Sequence, residues 1–190
     1  MTLQSAYGLC STGQAGVCYK REAGRAFAES QQEFRQLLGL GDGPDAAAVS
    51  VHEEADNYGY SWVVIDCSDF ERLVNMVHVV NGTLGDEGFG AKLLLSVFAF
   101  GADVVAPALL DDGLGNDVLA DSAPVGTWSS ASPIYVVYLY KRGTFYPFVP
   151  TGGERQDVQA SLVLADALAD DLVIEKDLEN RFPIWGVPVH

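Results

Sequence analysis

"SPIYVVYLYKRGTFYPFV", residues 132–149, is the stretch that decides the fold, because it has the pattern of two β-strands joined by a tight turn. The segments SPIYVVYLY and TFYPFV are rich in aromatic and β-branched residues, which favour pleated strands. Gly143, between them, can adopt the positive φ angle that a tight turn requires. The stretch therefore predicts a β-hairpin whose tip carries two adjacent cations, Lys141 and Arg142.

The rest of the chain alternates between strand and helix patterns. The sequence predicts two short β-segments around a turn within 6–20, a second hairpin over 48–67, an apolar strand over 91–100, and helices over 24–44, 68–90 and 152–182. Strands paired through turns, with helices between the pairs, indicate an antiparallel sheet rather than parallel βαβ units. We expect a single α+β domain, residues 1–190, with the sheet flanked by about three helices and a long irregular loop over 101–132.

The chain is strongly acidic, with 26 Asp plus Glu against 11 Lys plus Arg and a net charge of −15 at pH 7. Such a surface repels phosphate backbones, which excludes nucleic acid as the expected partner. The acidity also fits an adaptation for solubility or high salt that is unrelated to any site. No apolar run of about eighteen residues occurs, so no transmembrane segment is expected and membrane contact would be at most indirect.

The three cysteines, Cys10, Cys18 and Cys67, are odd in number and irregularly spaced. This pattern does not fit a disulfide framework and is typical of a protein in a reducing compartment. A disulfide between Cys10 and Cys18 stays open as an alternative. The N-terminal residues lack the cationic and apolar regions of a secretory signal, so we expect a cytoplasmic protein.

The sequence contains no familiar catalytic or metal-binding motif. The three histidines have no ligand spacing relative to the cysteines, and neither a phosphate-binding loop nor a GxSxG nucleophile motif occurs. We therefore predict no catalytic residues, no metal and no cofactor, and we expect that the protein is not an enzyme.

One polar pattern lies on the predicted helix 68–90, where Asn75, His78 and Asn81 recur at a spacing of three. These side chains either hydrogen-bond to strand ends or line a polar cleft. With Cys67, which precedes the helix, they form the candidate site of an alternative hypothesis, in which the protein is an enzyme or binds a small ligand.

The tip of the predicted hairpin is the candidate protein-binding surface. Aromatic residues beside an arginine are the composition of interaction hot spots. We expect contacts with a partner protein from Tyr140, Lys141, Arg142, Phe145 and Tyr146, the cations pairing with carboxylates and the rings serving as apolar anchors. The alternative is an ordinary hairpin with a charged tip.

Several long motifs, which follow one another along nearly the whole chain, are similar to those of a known family. They are TLQSAYGL near the start, AGVCYK at 15–20, DNYGYSWVV at 56–64, LVNMVHVVNGTLGDEGFGAKLL at 73–94, YVVYLYKRGTFYPFVP at 135–150 and RFPIWGVPV at 181–189. With these motifs the sequence resembles the PspAB family. The resemblance implies a soluble companion of phage-shock protein A, a coiled-coil protein that coats and repairs stressed membranes. It implies no catalytic residue and no cofactor.

The order of helices and strands is also similar to the α+β fold of type III secretion chaperones and YbjN-like proteins, whose members bind proteins and often dimerise. The sequence differs in having two rather than three predicted strands between its first two predicted helices. The leading hypothesis is a non-enzymatic adaptor or regulator that acts with phage-shock protein A in the envelope stress response. A homodimeric chaperone-like protein is a further hypothesis beside the ligand-binding one.

Overall fold

A six-stranded antiparallel sheet forms the centre of the computed structural model, which describes residues 2–20, 49–102 and 133–190. The strands are β1 (Leu9–Lys20), β2 (Val49–Ala55), β3 (Tyr60–Cys67), β4 (Leu93–Ala102), β5 (Ile134–Leu139) and β6 (Thr144–Phe148). The helices in the described residues are α1 (Thr2–Tyr7), α2 (Phe70–Leu84) and α3 (Val158–Leu168), with a π-type turn at Gly85–Phe89 and a 3₁₀ turn at Leu178–Asn180. The predicted α+β class is confirmed. The predicted helix 24–44 and residues 103–132 of the predicted loop lie outside the described residues.

Strand β1 lies in the interior of the sheet, whose spatial order is β2-β3-β1-β4-β5-β6. It pairs with β3 along one edge and with β4 along the other. Both predicted hairpins, β2–β3 and β5–β6, are confirmed and form the two ends of the sheet. At the tip of the second hairpin, Gly143 has a φ of 65°, and its N–H donates to the Leu139 carbonyl at 2.9 Å. Glycine adopts this left-handed conformation without the strain that a Cβ atom would cause.

The predicted turn within residues 6–20 is wrong, because β1 is one continuous twelve-residue strand. The residues expected to reverse the chain form an irregularity in the pairing with β4, between Ser11 and Ala15. Gly13, with a φ of 82°, allows this bulge. The strand continues through the bulge because it has a hydrogen-bonding partner on both edges.

Helices α2 and α3 cover one face of the sheet, which we call the helical face. Helix α2 packs on β1 and β3, and α3 packs on β6 and α1. The residues buried from the two helices are Leu73, Met76, Val77, Val80, Asn81 and Leu84, and Ser161, Leu164, Ala165 and Leu168. The Asp69 carboxylate caps α2 by accepting from the Arg72 N–H at 2.9 Å.

Residues 182–190 cross the opposite face of the sheet, and we call this segment the tail. Its buried side chains, Ile184, Val187 and Val189, join a core made by β1, β3, β4, β5 and β6. Two buried tyrosines fix its main chain: the Tyr135 hydroxyl donates to the Val189 carbonyl and the Tyr146 hydroxyl to the Phe182 carbonyl, both at 2.7 Å. The tail therefore completes the second layer of packing without forming a helix or strand.

The predicted helix 152–182 is much too long, since α3 ends at Leu168. Beyond Leu168 the chain runs beside β6. There the Phe145 N–H donates to the Val173 carbonyl, and the Phe145 carbonyl accepts from the Glu175 N–H, both at 2.8 Å. Ile174 therefore forms a parallel bridge with Phe145 instead of continuing the predicted helix. Hydrogen bonds to the edge of β6 thus replace the ones that residues 173–175 would form within a longer helix.

Gly16 on β1 lets the tail approach the sheet closely, which gives a test of the packing. A Cβ atom at this position would lie 2.9 Å from Val189 Cγ2 and 3.1 Å from Trp62 Cε3. We expect Gly16→Ala to lower the free energy of unfolding by about 1–3 kcal/mol through overpacking, as measured by urea denaturation.

The matched control is Gly82→Ala on α2, because a Cβ atom there has no neighbour within 4 Å. Alanine should stabilise that helix by about 0.5–1 kcal/mol. If Gly16→Ala unfolds at the same urea concentration as the unchanged protein, the tail does not pack against β1 as described.

Candidate functional site

A groove with a volume of about 870 Å³ runs over the helical face between α2 and the end of α3. We define it by the residues Phe70, Val74 and Val77 of α2, Phe98 and Phe100 of β4, Val136 and Tyr138 of β5, Phe145 of β6, and Leu168 and Leu172 at the end of α3. It forms because α2 and α3 pack over different strands and, within the described residues, leave part of the sheet between them open. The groove is therefore an apolar cleft with helical walls and a floor of β-strands.

The rim of the groove on α2 exposes large apolar side chains. Phe70 is 43% exposed and Val74 is 39% exposed. The Phe70 ring packs edge-on against Phe98 and Phe100, with ring centroids 6.2 and 5.7 Å apart. This contact holds the Phe70 ring at the mouth of the groove while one side of it stays open to solvent.

The structure assembles only part of the predicted polar cleft. His78 and Asn81 line the groove, whereas Asn75 is exposed outside its lining. Asn81 is buried, and its amide donates to the Ser96 hydroxyl at 3.0 Å. Cys67 is buried in a different place, beside Gln14 and Ser50 near the end of β3. The four residues of the alternative hypothesis therefore do not converge on one site.

A second cavity, of about 740 Å³, lies on the opposite face of the sheet between the tips of the two hairpins and the tail. We call it the aromatic pocket and define it by Tyr58, Tyr60 and Trp62 of the β2–β3 hairpin, Lys141 and Arg142 of the β5–β6 hairpin, and Phe182 and Trp185 of the tail. Its floor comprises Cys18, Leu94, Leu95 and Leu139. Burial, aided by the negative charge of Asp56, raises the pKa of the Cys18 thiol, which keeps it protonated.

Asp56 fixes the wall of the aromatic pocket on the β2–β3 side. One oxygen of its carboxylate accepts from the N–H groups of Tyr58 and Tyr60, at 2.9 and 2.8 Å. The other oxygen accepts from the Trp62 indole at 3.0 Å. The three hydrogen bonds to this carboxylate therefore stabilise the turn at 56–60.

Arg142 at the hairpin tip has an intramolecular partner, the buried carboxylate of Glu175. The Arg142 Nε–H donates to Glu175 Oε2 at 2.5 Å, and the Thr144 hydroxyl donates to the same oxygen at 2.8 Å. The Asp177 N–H donates to the other oxygen at 3.0 Å. The Arg142 hydrogen bond is the main reason that the pKa of Glu175 falls from 4.5 to about 2, against the opposing effect of burial.

The five predicted contact residues of the hairpin have different environments. Tyr146 is 1% exposed, and burial raises the pKa of its hydroxyl, which donates to the tail. Tyr140 and Phe145 are half-buried, Tyr140 against the core beneath α2 and Phe145 in the groove. Lys141 and Arg142 line the aromatic pocket, and Lys141 is exposed. The hairpin thus contributes to both cavities.

Sequence reasoning missed most of the residues that form the two cavities. Phe70 and Val74 of α2 and the aromatic residues of the tail were not assigned to any site. The available signal was the apolar motif RFPIWGVPV at 181–189, which has neither helical nor strand periodicity. Such a segment can bury its side chains only by packing on a surface formed elsewhere in the chain.

These observations define an α+β protein that carries an apolar groove on one face of its sheet and an aromatic pocket on the other. The family model of PspAB, described as PspA associated protein B, matches residues 1–189, and the chain belongs to this family. The resemblance to the PspAB family seen in the sequence is therefore confirmed. Searches of curated proteins and of solved structures found no match.

Two further findings concern the described residues only. No helix among them is both long enough and apolar enough to cross a membrane. No cluster of three or more His, Cys, Asp or Glu side chains among them could hold a metal ion.

The pKa of Glu175 predicts an acid-dependent loss of stability. A carboxyl group whose pKa is lower in the folded protein stabilises the fold above its unfolded value and loses this effect as the pH falls. We expect this contribution to disappear between about pH 4.5 and pH 2, the ordinary and folded pKa values of Glu175. Across this range, thermal unfolding should show that the melting temperature falls more steeply with decreasing pH for the unchanged protein than for Glu175→Gln.

The control is Glu179→Gln, which removes an exposed carboxylate from the neighbouring 3₁₀ turn. Its melting temperature should follow that of the unchanged protein at every pH. Identical pH profiles for Glu175→Gln and the unchanged protein would contradict the role assigned to the Arg142 contact.

Proposed function

We propose that the protein is a non-enzymatic adaptor or regulator that binds phage-shock protein A through the groove and acts with it in the envelope stress response. The observation that carries the proposal is the apolar rim of the groove, where Phe70 and Val74 remain 43% and 39% exposed. Large apolar side chains gathered around a concave surface are typical of sites at which another protein binds.

The shape of the groove favours an amphipathic helix as its occupant. Two helical elements form its walls, and the floor between them consists of apolar side chains from β4 and β5. A helix places apolar residues along one stripe, which can enter such a cleft while its polar side faces solvent. Coiled-coil proteins are built from helices with such stripes. The family description, which associates its members with PspA, supports this protein as the source of the helix.

The polar groups of the groove restrict what the helix presents. Asn81 and Ser96 hydrogen-bond to each other at 3.0 Å, which satisfies both side chains internally. His78 lies on the exposed side of α2 and is the polar residue of this wall that is open to a partner. Gln4 and Asp171 are the other exposed polar residues of the lining. We expect the bound helix to be apolar over most of its contact and to place polar side chains near these two residues and near His78.

The hairpin tip contributes less to this proposal than its composition suggests. Tyr146 is in the core and Arg142 is bonded to Glu175, so contact with a partner through either residue requires internal hydrogen bonds to break. Tyr146→Ala would also remove a buried ring and destabilise the fold. Phe145 is the residue of the predicted set that lines the groove, and we retain it as part of the binding surface.

Val74→Glu tests the proposal, because it places a charge on the rim of the groove at a partly exposed position. We expect the affinity for purified phage-shock protein A, measured by isothermal titration calorimetry, to fall by about tenfold or more, since a charge in an apolar contact is desolvated without a partner. The melting temperature of the free protein should change little.

Val79→Glu is the matched control, because Val79 is on the same helix, is 37% exposed and lies outside the groove lining. The affinity of the Val79→Glu variant for phage-shock protein A should equal that of the unchanged protein. If Val74→Glu binds as well as Val79→Glu, the groove is not the binding surface. Light scattering during size-exclusion chromatography should also show a mixed complex. A self-dimer of the 20.4 kDa chain that does not bind phage-shock protein A would favour the homodimeric hypothesis instead.

A further inference from the structure

We propose that the aromatic pocket is a binding site for a small amphiphilic anion, a molecule with a flat apolar body and one acidic group. The proposal is independent of the function proposed for the groove, which lies on the other face of the sheet. It depends on the enclosure of the pocket, the aromatic character of its walls and the position of Lys141.

The pocket has the dimensions and the composition of a small-molecule site. Its volume of about 740 Å³ falls within the usual range for such sites, and most of its lining is aromatic or aliphatic. The sheet forms its floor, while the two hairpin tips and the tail enclose it laterally.

The tail wall of the pocket is held in place before any ligand binds. The Trp185 ring packs edge-on against Phe148, with centroids 5.1 Å apart, and Tyr146 fixes the Phe182 carbonyl. On the other side, Asp56 holds the Trp62 indole at 3.0 Å. Because these parts of the walls are already ordered, binding costs less conformational entropy, which favours affinity for a small ligand.

Lys141 is the cation of the pocket lining that can meet an anion. Arg142 is paired with Glu175, and two carboxylates are bound on the β2–β3 side, Asp56 by three donors of its own turn and Glu154 by the Tyr58 hydroxyl at 2.9 Å. Among the described residues, Lys141 has no ion-pair partner and its side chain is exposed at the rim. Its ammonium group is therefore available to an acidic group on a molecule whose apolar body lies between the aromatic walls.

Anilinonaphthalene sulfonate is a suitable probe, since it combines a flat aromatic body with one negative charge. Trp62 and Trp185 both line the pocket, so a bound probe should quench their emission and fluoresce by energy transfer. We expect Lys141→Gln to weaken binding of this probe to the full chain by about two- to fivefold, the size of one charge contact near a surface. Lys141→Arg should retain the affinity.

Two controls distinguish binding in the pocket from non-specific binding of the probe. Lys176→Gln removes an exposed cation outside the pocket lining and should leave the affinity unchanged. N-phenyl-1-naphthylamine, a neutral molecule of similar shape, should bind equally to the unchanged protein and to Lys141→Gln. Equal sulfonate binding by Lys141→Gln and the unchanged protein would overturn the proposal, and so would loss of the signal in the groove variant Val74→Glu.

Competition then identifies the acidic group. 1-Naphthoate and 1-naphthyl phosphate should both displace the sulfonate probe, and the stronger competitor indicates whether a carboxylate or a phosphate suits the site better. Failure of both at concentrations well above that of the probe would overturn the proposal of an anion site.

Discussion

The fold depends on the pairing of β1 along both of its edges. Strands β3 and β4 are separated in the chain by α2, and β1 is what joins them into one sheet. Its side chains alternate between the two layers: Ala15, Val17 and Tyr19 lie beneath α2, whereas Gly16 and Cys18 face the tail and the aromatic pocket. Both layers, and therefore both cavities, are built outward from this strand.

The β5–β6 hairpin determines how the two cavities are arranged. Phe145 points into the groove, while the cations at the tip reach the aromatic pocket on the other face. Glu175 ties this tip to the segment after α3, since it binds the Arg142 side chain and its carbonyl accepts from the Arg181 guanidinium at 2.8 Å. Because Arg181 immediately precedes the tail, the same network positions the tip and one wall of the pocket.

Local signals were sufficient to predict the hairpins and helix α2 from the sequence. Turn residues at 56–59 and at Gly143 mark the reversals, and the apolar spacing of three and four residues marks α2. The continuity of β1 was not predictable, because it depends on partners far away in sequence. The end of α3 was missed because residues 170–182 retain an apolar periodicity that a neighbouring strand can satisfy equally well. The groove was missed because spacing identifies the apolar side of α2 but does not show which residues on that side are covered by another element. Phe70 is one that stays partly exposed.

The anchoring of the tail has a consequence for the order of folding. Its contacts close very long loops, of 54 residues between Tyr135 and Val189 and of 176 between Gln14 and the His190 N–H. Closing such loops costs entropy that only an already formed sheet can offset. The tail should therefore dock late, on a sheet whose strands are in register. Until it does, the apolar side chains of Trp62, Val64 and Val97 lack the cover of the tail, and exposed apolar surface of this kind promotes aggregation.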